Sequence, residues 1–534
     1  MNRPPHTTCP ISPAALLNGA LRSLLVAILG IAVCYGWEDR IVHAQGKIAP
    51  AAKDGLAPPQ PPPAAAENVF NPGPGDAEPP VGDKGDAAEL DPNDVVPKGF
   101  RPRGEIAPAF NIKEEWIYQP FDGNKKAISE AKYLWAEMKL KGDVPTAKHH
   151  QVIEELVRYR LSLMTLKDAR DFKATPAAAK VGVQPAFKIR EGLVLDVTQA
   201  FNNARQGQSI FHRALLEAIV KEVPKLYKYH FITRLNAAIL LSELNIRERE
   251  PNGTPEVPYY PANAALLKLL EPPKPGAKPE DLQPEAVKVW AVNGLVRIAE
   301  MADTGELNAQ VRHSIVETLI RELEGSGSSH YWYQMRLAEG LGRVNYLRDR
   351  AQRATIPQAL LKVLVDEKRH PLVRAEAAQA LGRIQYDSKV NASLIAADIA
   401  KFAVEVGNNA LKKPPTPEWG PNIKLLAVKL YMAFKPINKD ERPRGFGLLN
   451  TNKTSATGGV TPAENPVVKQ AYAQVLPLVN ALIKDNLAAV PGIVTRIEAW
   501  LKANPPKDQR VSPEMPPLAR HQARRPLPDG PAQG

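Results

Sequence analysis

The sequence predicts an all-α chain with disordered N-terminal and C-terminal tails, and three observations carry that prediction. Apolar residues recur at helical spacing through most of residues 127–503, strand-like alternation is nearly absent, and one helix pattern returns several times along the chain. The 52 prolines among 534 residues, about twice the usual share, cluster outside the periodic segments.

Taken in order, the first element is a candidate export signal. Arg3 and Arg22 precede an apolar run from Leu24 to Trp37, and Val42-His43-Ala44 places an apolar and a small residue where a signal peptidase reads them. The pattern fits cleavage after Ala44, which makes residues 1–44 a signal peptide and the mature chain an exported one, periplasmic or extracellular. The alternative is an uncleaved N-terminal membrane anchor, although the run falls short of the roughly 20 apolar residues that a span needs. No membrane span is expected in the mature chain. Both cysteines, Cys9 and Cys34, fall inside the signal. Cleavage therefore leaves a chain without disulfides, thiolate metal sites or cysteine nucleophiles. Residues 1–44 hold a net +1, Arg3, Arg22 and Arg40 against Glu38 and Asp39, leaving +11 of the chain's +12.

Residues 45–110 are dense in Pro, Ala, Gly and Asp and hold too few large apolar side chains to offset the entropy of ordering. They read as a disordered linker of polyproline character. Residues 111–204 form an N-terminal helical region with strong segments at Ala127–Lys141 and Lys148–Leu166. Residues 205–505 supply Arg213–Tyr229, Arg234–Glu250, Pro284–Met301, Ala309–Leu323, Trp332–Leu347, Pro357–Lys368, Leu372–Tyr386, Ala392–Val406, Ile423–Phe434, Pro466–Asp485 and Pro491–Ala503. The insert at 436–465 is too long and polar for an ordinary turn and reads as a mobile surface loop, with partner contact as the alternative. Residues 506–534 read as a disordered basic tail.

The recurring pattern is explicit. Ala380-Leu381-Gly382-Arg383-Ile384 matches Gly340-Leu341-Gly342-Arg343-Val344 forty residues earlier and Gly294-Leu295-Val296-Arg297-Ile298 forty-six before that. Ile423-Lys424, Ala427-Val428, Tyr431 and Phe434 repeat it downstream. Arg234, Ala237-Ala238, Leu241 and Leu244 repeat it upstream, displaced by a Pro-rich insert around 251–283. Each copy follows another apolar helix, and a helix pair returning every 40–47 residues or so marks an α-solenoid of the HEAT type. The small Ala377 and Ala378 read as the places where neighbouring pairs approach.

The segment from Leu360 to Ile384 resembles the HEAT consensus, with Asp366 at the turn, Val373-Arg374 opening the second helix, then Ala377, Ala378, Leu381, Gly382 and Ile384. The resemblance spans about residues 205–505 and implies a HEAT-like α-solenoid, an α-α superhelix whose second helices line a concave binding surface. On that surface it places Trp290, Asn293 and Arg297, then Arg336, Glu339 and Arg343, then Glu376, Gln379 and Arg383. It also implies that Arg374, with Arg234, Lys288 and Lys424, has a structural role and bonds to turn residues such as Asp366. Arginines in register can grip carboxylates or phosphates bidentately. The plainer reading is a solvated face on which Glu339 and Arg343 pair at i,i+4.

Other candidates are thinner. Tyr331-Trp332-Tyr333 and Tyr259-Tyr260 are hot-spot residue types, but Trp332 stands where Leu372 stands in the next copy, which points to packing. His150 and Glu154 are one turn apart beside His149 and Glu155, and no third ligand is identifiable, so neither metal nor cofactor is expected. No nucleophile elbow, phosphate-cradling loop or metalloprotease motif is present. The expectation is a non-enzymatic exported scaffold that binds a protein or peptide partner through its solenoid surface. The alternative is a receptor for an acidic ligand, an acidic polymer or nucleic acid, using the arginines and the basic tail, with export keeping most nucleic acid out of reach. An accessory module of an enzyme complex is the lesser alternative.

Overall fold

The computed structural model describes residues 115–518 apart from 117, 171–183, 204–208, 251–252, 278–281, 302–306, 345, 436–446, 450–461 and 463–464. The signal peptide, the Pro/Ala-rich linker, most of the 436–465 insert and the tail beyond Leu518 lie outside the described residues. The described chain is all-α as expected. Its α-helices of six or more residues are α1 (Lys125–Lys141), α2 (Ala147–Leu163), α3 (Ala186–Asn202), α4 (Ile210–Glu222), α5 (Phe231–Glu243), α6 (Asn263–Lys268), α7 (Glu285–Glu300), α8 (Ala309–Gly325), α9 (Tyr331–Arg343), α10 (Thr355–Val365), α11 (Pro371–Arg383), α12 (Ala392–Ala410), α13 (Ile423–Phe434), α14 (Pro466–Ile483) and α15 (Val490–Ala503). Among the described residues the one sheet is a two-stranded antiparallel pair, β1 (Asn245–Arg247) with β2 (Val257–Pro258).

The helices start where side chains satisfy their free N–H groups. Asn124, Asn391 and Asn465 cap α1, α12 and α14. Three others share a rarer device. The Nδ1 atoms of His230, His330 and His370 accept the N–H groups of Ile232, Trp332 and Leu372, each at 3.2 Å, at the heads of α5, α9 and α11. Tyr331 lies between two of these rings, with centroids 4.4 Å from His330 and 4.3 Å from His370.

Packing follows the pairing. α3, α5, α7, α9, α11 and α13 each pack on the next, and each of α7, α9, α11 and α13 also packs on the helix that precedes it. The N-terminal region joins this order, because α2 packs on α4, α3 on α5, and α1 on both α2 and α3. At the far end α14 lies against both α12 and α13. Two glycines set the closest approach. A Cβ on Gly342 would stand 2.7 Å from Ala380 Cα, and one on Gly382 would stand 3.0 Å from Ala433 Cα. Ala377 and Ala378 are fully buried as anticipated, but the tightest contacts fall one turn later, on the glycines.

Several expectations need correction. Helix α5 ends at Glu243 rather than Glu250, because Leu244 turns extended and residues 245–247 pair with 257–258. The Pro-rich insert contains α6, which packs on α7 and serves as the first helix of that pair. Helix α3 was not anticipated, although Ala186, Ile189, Leu193, Val197 and Ala200 are buried along it at helical spacing. The insert at 436–465 is anchored in part. Gly447 donates to Gly382 O, Leu448 to Ala433 O and Leu449 to Phe434 O, each at 2.9 Å, and Leu448 is fully buried. Gly447 has φ +92°, where a side chain would meet the Phe434 backbone.

The basic tail also begins later than residue 506. Val511 and Leu518 are buried, and the Asn391 N–H donates to Val511 O at 2.8 Å. This strap lies across the starts of α10 and α12, because its carbonyls find donors there in Gln358 and Asn391.

Candidate functional site

The nine residues of the expected surface all sit on α7, α9 and α11, three neighbouring helices. Their arginines are engaged internally. Arg297 donates to Ser242 O and, at 2.8 Å, to Asn245 Oδ1, so it ties α7 to the end of α5. Burial pulls its guanidinium below the ordinary value, against the pull of Glu256, Glu243, Glu248 and Glu300. Arg343 forms a bidentate pair with Glu300 at 2.8 and 2.9 Å, tying α9 to α7. Burial works against that charge, and Glu300 outweighs it, leaving the guanidinium above its ordinary value. Glu339 pairs with Arg336 at 2.5 Å rather than with Arg343.

On α11, Glu376 and Gln379 are buried rather than solvated, each 4% exposed. Lys429 of α13 reaches both, bonding Glu376 and donating to Gln379 Oε1 at 3.0 Å. Arg383 Nη1 lies 3.9 Å from Glu376. Burial pushes the Glu376 carboxyl up, but Lys429 and Arg383 more than offset it and hold it below the usual range. The ladder is thus largely a polar seam that staples consecutive helices. Trp290 and Asn293 are half-buried on the same face.

Trp332 departs from its expected place in the packing. It is 38% exposed, with the Arg336 guanidinium 5.7 Å above its ring. Its neighbours take the inner positions. Tyr331 stacks between the histidine caps, and Tyr333 is buried and donates to Glu322 Oε2 at 2.8 Å. Tyr259 is buried and Tyr260 exposed.

The structural arginine has other partners than the turn. Arg374 donates to Leu364 O at 2.8 Å and pairs bidentately with Glu405 of α12 at 2.6 and 2.9 Å, stacked over Phe402. Asp366 instead accepts from Lys368 N and lies 3.5 Å from Arg369. Lys288 likewise reaches Glu322, and Lys424 reaches Asp485. Arg234, like Arg374, donates to a carbonyl shortly before its helix, Tyr229 O at 2.6 Å.

Clefts open between first helices, away from the seam. One of about 470 Å³ lies between α8 and the segment entering α10. There Glu317 Oε1, His313 and the Tyr346 hydroxyl form a chain of contacts at 3.1 and 3.3 Å. Burial, then Asp349, raises the Tyr346 phenol above its ordinary value. A second cleft of about 280 Å³ surrounds the Arg374–Glu405 pair. Among the described residues no three His, Cys, Asp or Glu side chains gather as metal ligands. Glu154 is held by Lys221, and Glu155 by Tyr118 and Phe121 N. Also among the described residues, no helix is long and apolar enough to cross a membrane.

Among the described residues His212 is the imidazole displaced furthest. Burial pushes it down to about 4, with the Asn245 backbone opposing and Arg213 assisting. The unfolded chain takes up this proton near pH 6.5 and the folded chain only near 4, so stability is intact above 6.5 and lost as pH falls toward 4. Through this residue the native chain is expected to lose about 3 kcal/mol across that window. Urea unfolding at stepped pH checks this, with His212→Gln removing most of the slope.

The fold and site thus define an all-α protein of paired, laterally stapled helices. No family model, curated protein or solved structure matches the chain.

Proposed function

We propose that the chain is an exported, non-enzymatic α-solenoid of the HEAT type that binds a protein or peptide partner on its second-helix face, around Trp290, Trp332, Arg336 and Glu339. The succession of second helices packed side by side supports the solenoid. Export rests on the N-terminal pattern ending at Ala44. The observation that carries the binding surface is Trp332, a large aromatic left 38% exposed under an arginine, beside a helix that carries the half-buried Trp290. Tryptophan and arginine are the residue types that dominate binding energy at interfaces. The polyanion alternative has less to stand on, because Arg297, Arg343 and Arg383 are turned toward internal partners.

The test is affinity capture from an envelope extract with native chain and with Trp332→Ala. The native chain is expected to recover a stoichiometric partner and the variant about tenfold less, a cost of roughly 1.4 kcal/mol, with the melting temperature unchanged. Recovery that is equal for the two proteins, or that is absent with both, overturns the surface.

A further inference from the structure

We propose that the chain pairs with a second copy of itself through α1, the two helices lying parallel about a two-fold axis. The four most exposed large apolar side chains among the described residues are Tyr133, Leu140, Leu195 and Ile210. All four sit on α1, α3 and the head of α4, and soluble monomers rarely gather such side chains in one place. Tyr133 and Leu140 are 70% and 75% exposed. Lys139 donates to Asp196 Oδ1 at 2.6 Å, which sets Leu195 beside the C-terminal half of α1. Gly142 O accepts from Ser209 Oγ and Phe211 N, each at 3.2 Å, which sets Ile210 beside the end of the same helix.

Helix α1 has two faces. Ala131 and Met138 are buried on the side that packs against α2 and α3. On the opposite side Ser129, Tyr133, Ala136 and Leu140 are all exposed, spaced by four, three and four residues as in a coiled-coil seam. Lys126 closes this seam at its N-terminal end, a lysine of the kind that specifies register at a cost in stability. The flanking charges are sorted by sign. Lys125, Lys132 and Lys139 line one edge, and Glu130 and Glu137 line the other. Between parallel helices a residue on one edge meets the residue five positions on in its partner, so Lys125 faces Glu130 and Lys132 faces Glu137, each twice. An antiparallel pairing would set lysine against lysine and glutamate against glutamate. The charge pattern therefore selects both the occupant and its direction, a second α1 running the same way. Within one chain Glu130 and Glu137 pair with Lys148 and Lys141, but exposed pairs of this kind hold little energy and are readily exchanged. The seam is short, with one tyrosine, one leucine and two small residues, so the pairing is of micromolar strength.

This surface is separate from the Trp332 face and does not depend on it. Sedimentation equilibrium of the full-length chain is the test. The native chain is expected to dimerise with a Kd of about 10–50 μM. Leu140→Glu, at an exposed position, is expected to weaken the dimer at least about tenfold with the melting temperature unchanged. Lys132→Glu and Glu137→Lys chains should each self-associate more weakly than native and regain native affinity when mixed, because every edge then meets its opposite. Direction is read with Ser129→Cys in a chain that also carries Cys9→Ser and Cys34→Ser. A short bismaleimide is expected to join two copies through position 129, which an antiparallel pair would hold far apart. A native chain that stays monomeric at about 200 μM, or a dimer indifferent to Leu140→Glu, overturns the pairing. Charge variants that associate no better mixed than apart overturn the parallel seam. Each of these results leaves Trp332-dependent capture untouched, so the two readings fail separately.

Discussion

Replacing Gly382 with valine is expected to lower the unfolding free energy by about 3 kcal/mol, at the upper end for an overpacked interior. A glycine inside a helix ordinarily gains up to ~1 kcal/mol on becoming alanine. Here the sign reverses, because the new Cβ would stand 3.0 Å from both the Cα and the carbonyl carbon of Ala433, and these are backbone atoms of a packed helix that cannot step aside. Gly382→Ala should already cost roughly 1–2 kcal/mol. Gly492 on α15 is the control, since nothing lies within 4 Å of a Cβ placed there, and its alanine variant should gain stability. Urea unfolding of the three variants tests the claim, and a neutral Gly382→Ala would show that α11 and α13 separate easily.

Lys429→Met is expected to cost about 3 kcal/mol or more. Its partner Glu376 keeps only 5% of its side chain exposed, and Lys429 only 12%. Removing the cation strands a carboxylate in a dry seam, with Arg383 at 3.9 Å as partial relief, and breaking a buried pair costs more than the pair itself contributes. The double variant Glu376→Gln with Lys429→Met should recover most of the loss, since no charge is then left unmatched. Denaturant unfolding of both single variants and the double gives the coupling directly. A double variant as unstable as Lys429→Met alone would mean that the loss comes from packing and not from charge.

Much of the fold was legible because helical spacing and the returning Leu-Gly-Arg pattern both survive in the chain itself. Helix α3 carries the same signal in its buried positions from Ala186 to Ala200, but the β-branched Val194, Val197 and Thr198 dilute it. Helix α6 hid among prolines because six residues are too few for periodicity to register. The site was less legible. Sequence spacing places Arg297, Arg343 and Arg383 on comparable turns of their helices, but it cannot say that Ser242, Glu300 and Glu376 lie beside them. The three capping histidines at 230, 330 and 370 stood in plain view in the sequence. Histidine is not among the usual caps, so the sequence alone does not mark them as helix starts.

The strap has a further consequence for biogenesis. Arg348 meets Glu514 across 166 positions of sequence, and Asn391 meets Asp508 across 117. Most other contacts form between neighbours along the chain and can close as synthesis proceeds, whereas these wait until residues 508–514 have been made. The middle helices are then assembled well before they are bolted, and a chain stopped before Asp508 would be released with its centre never locked.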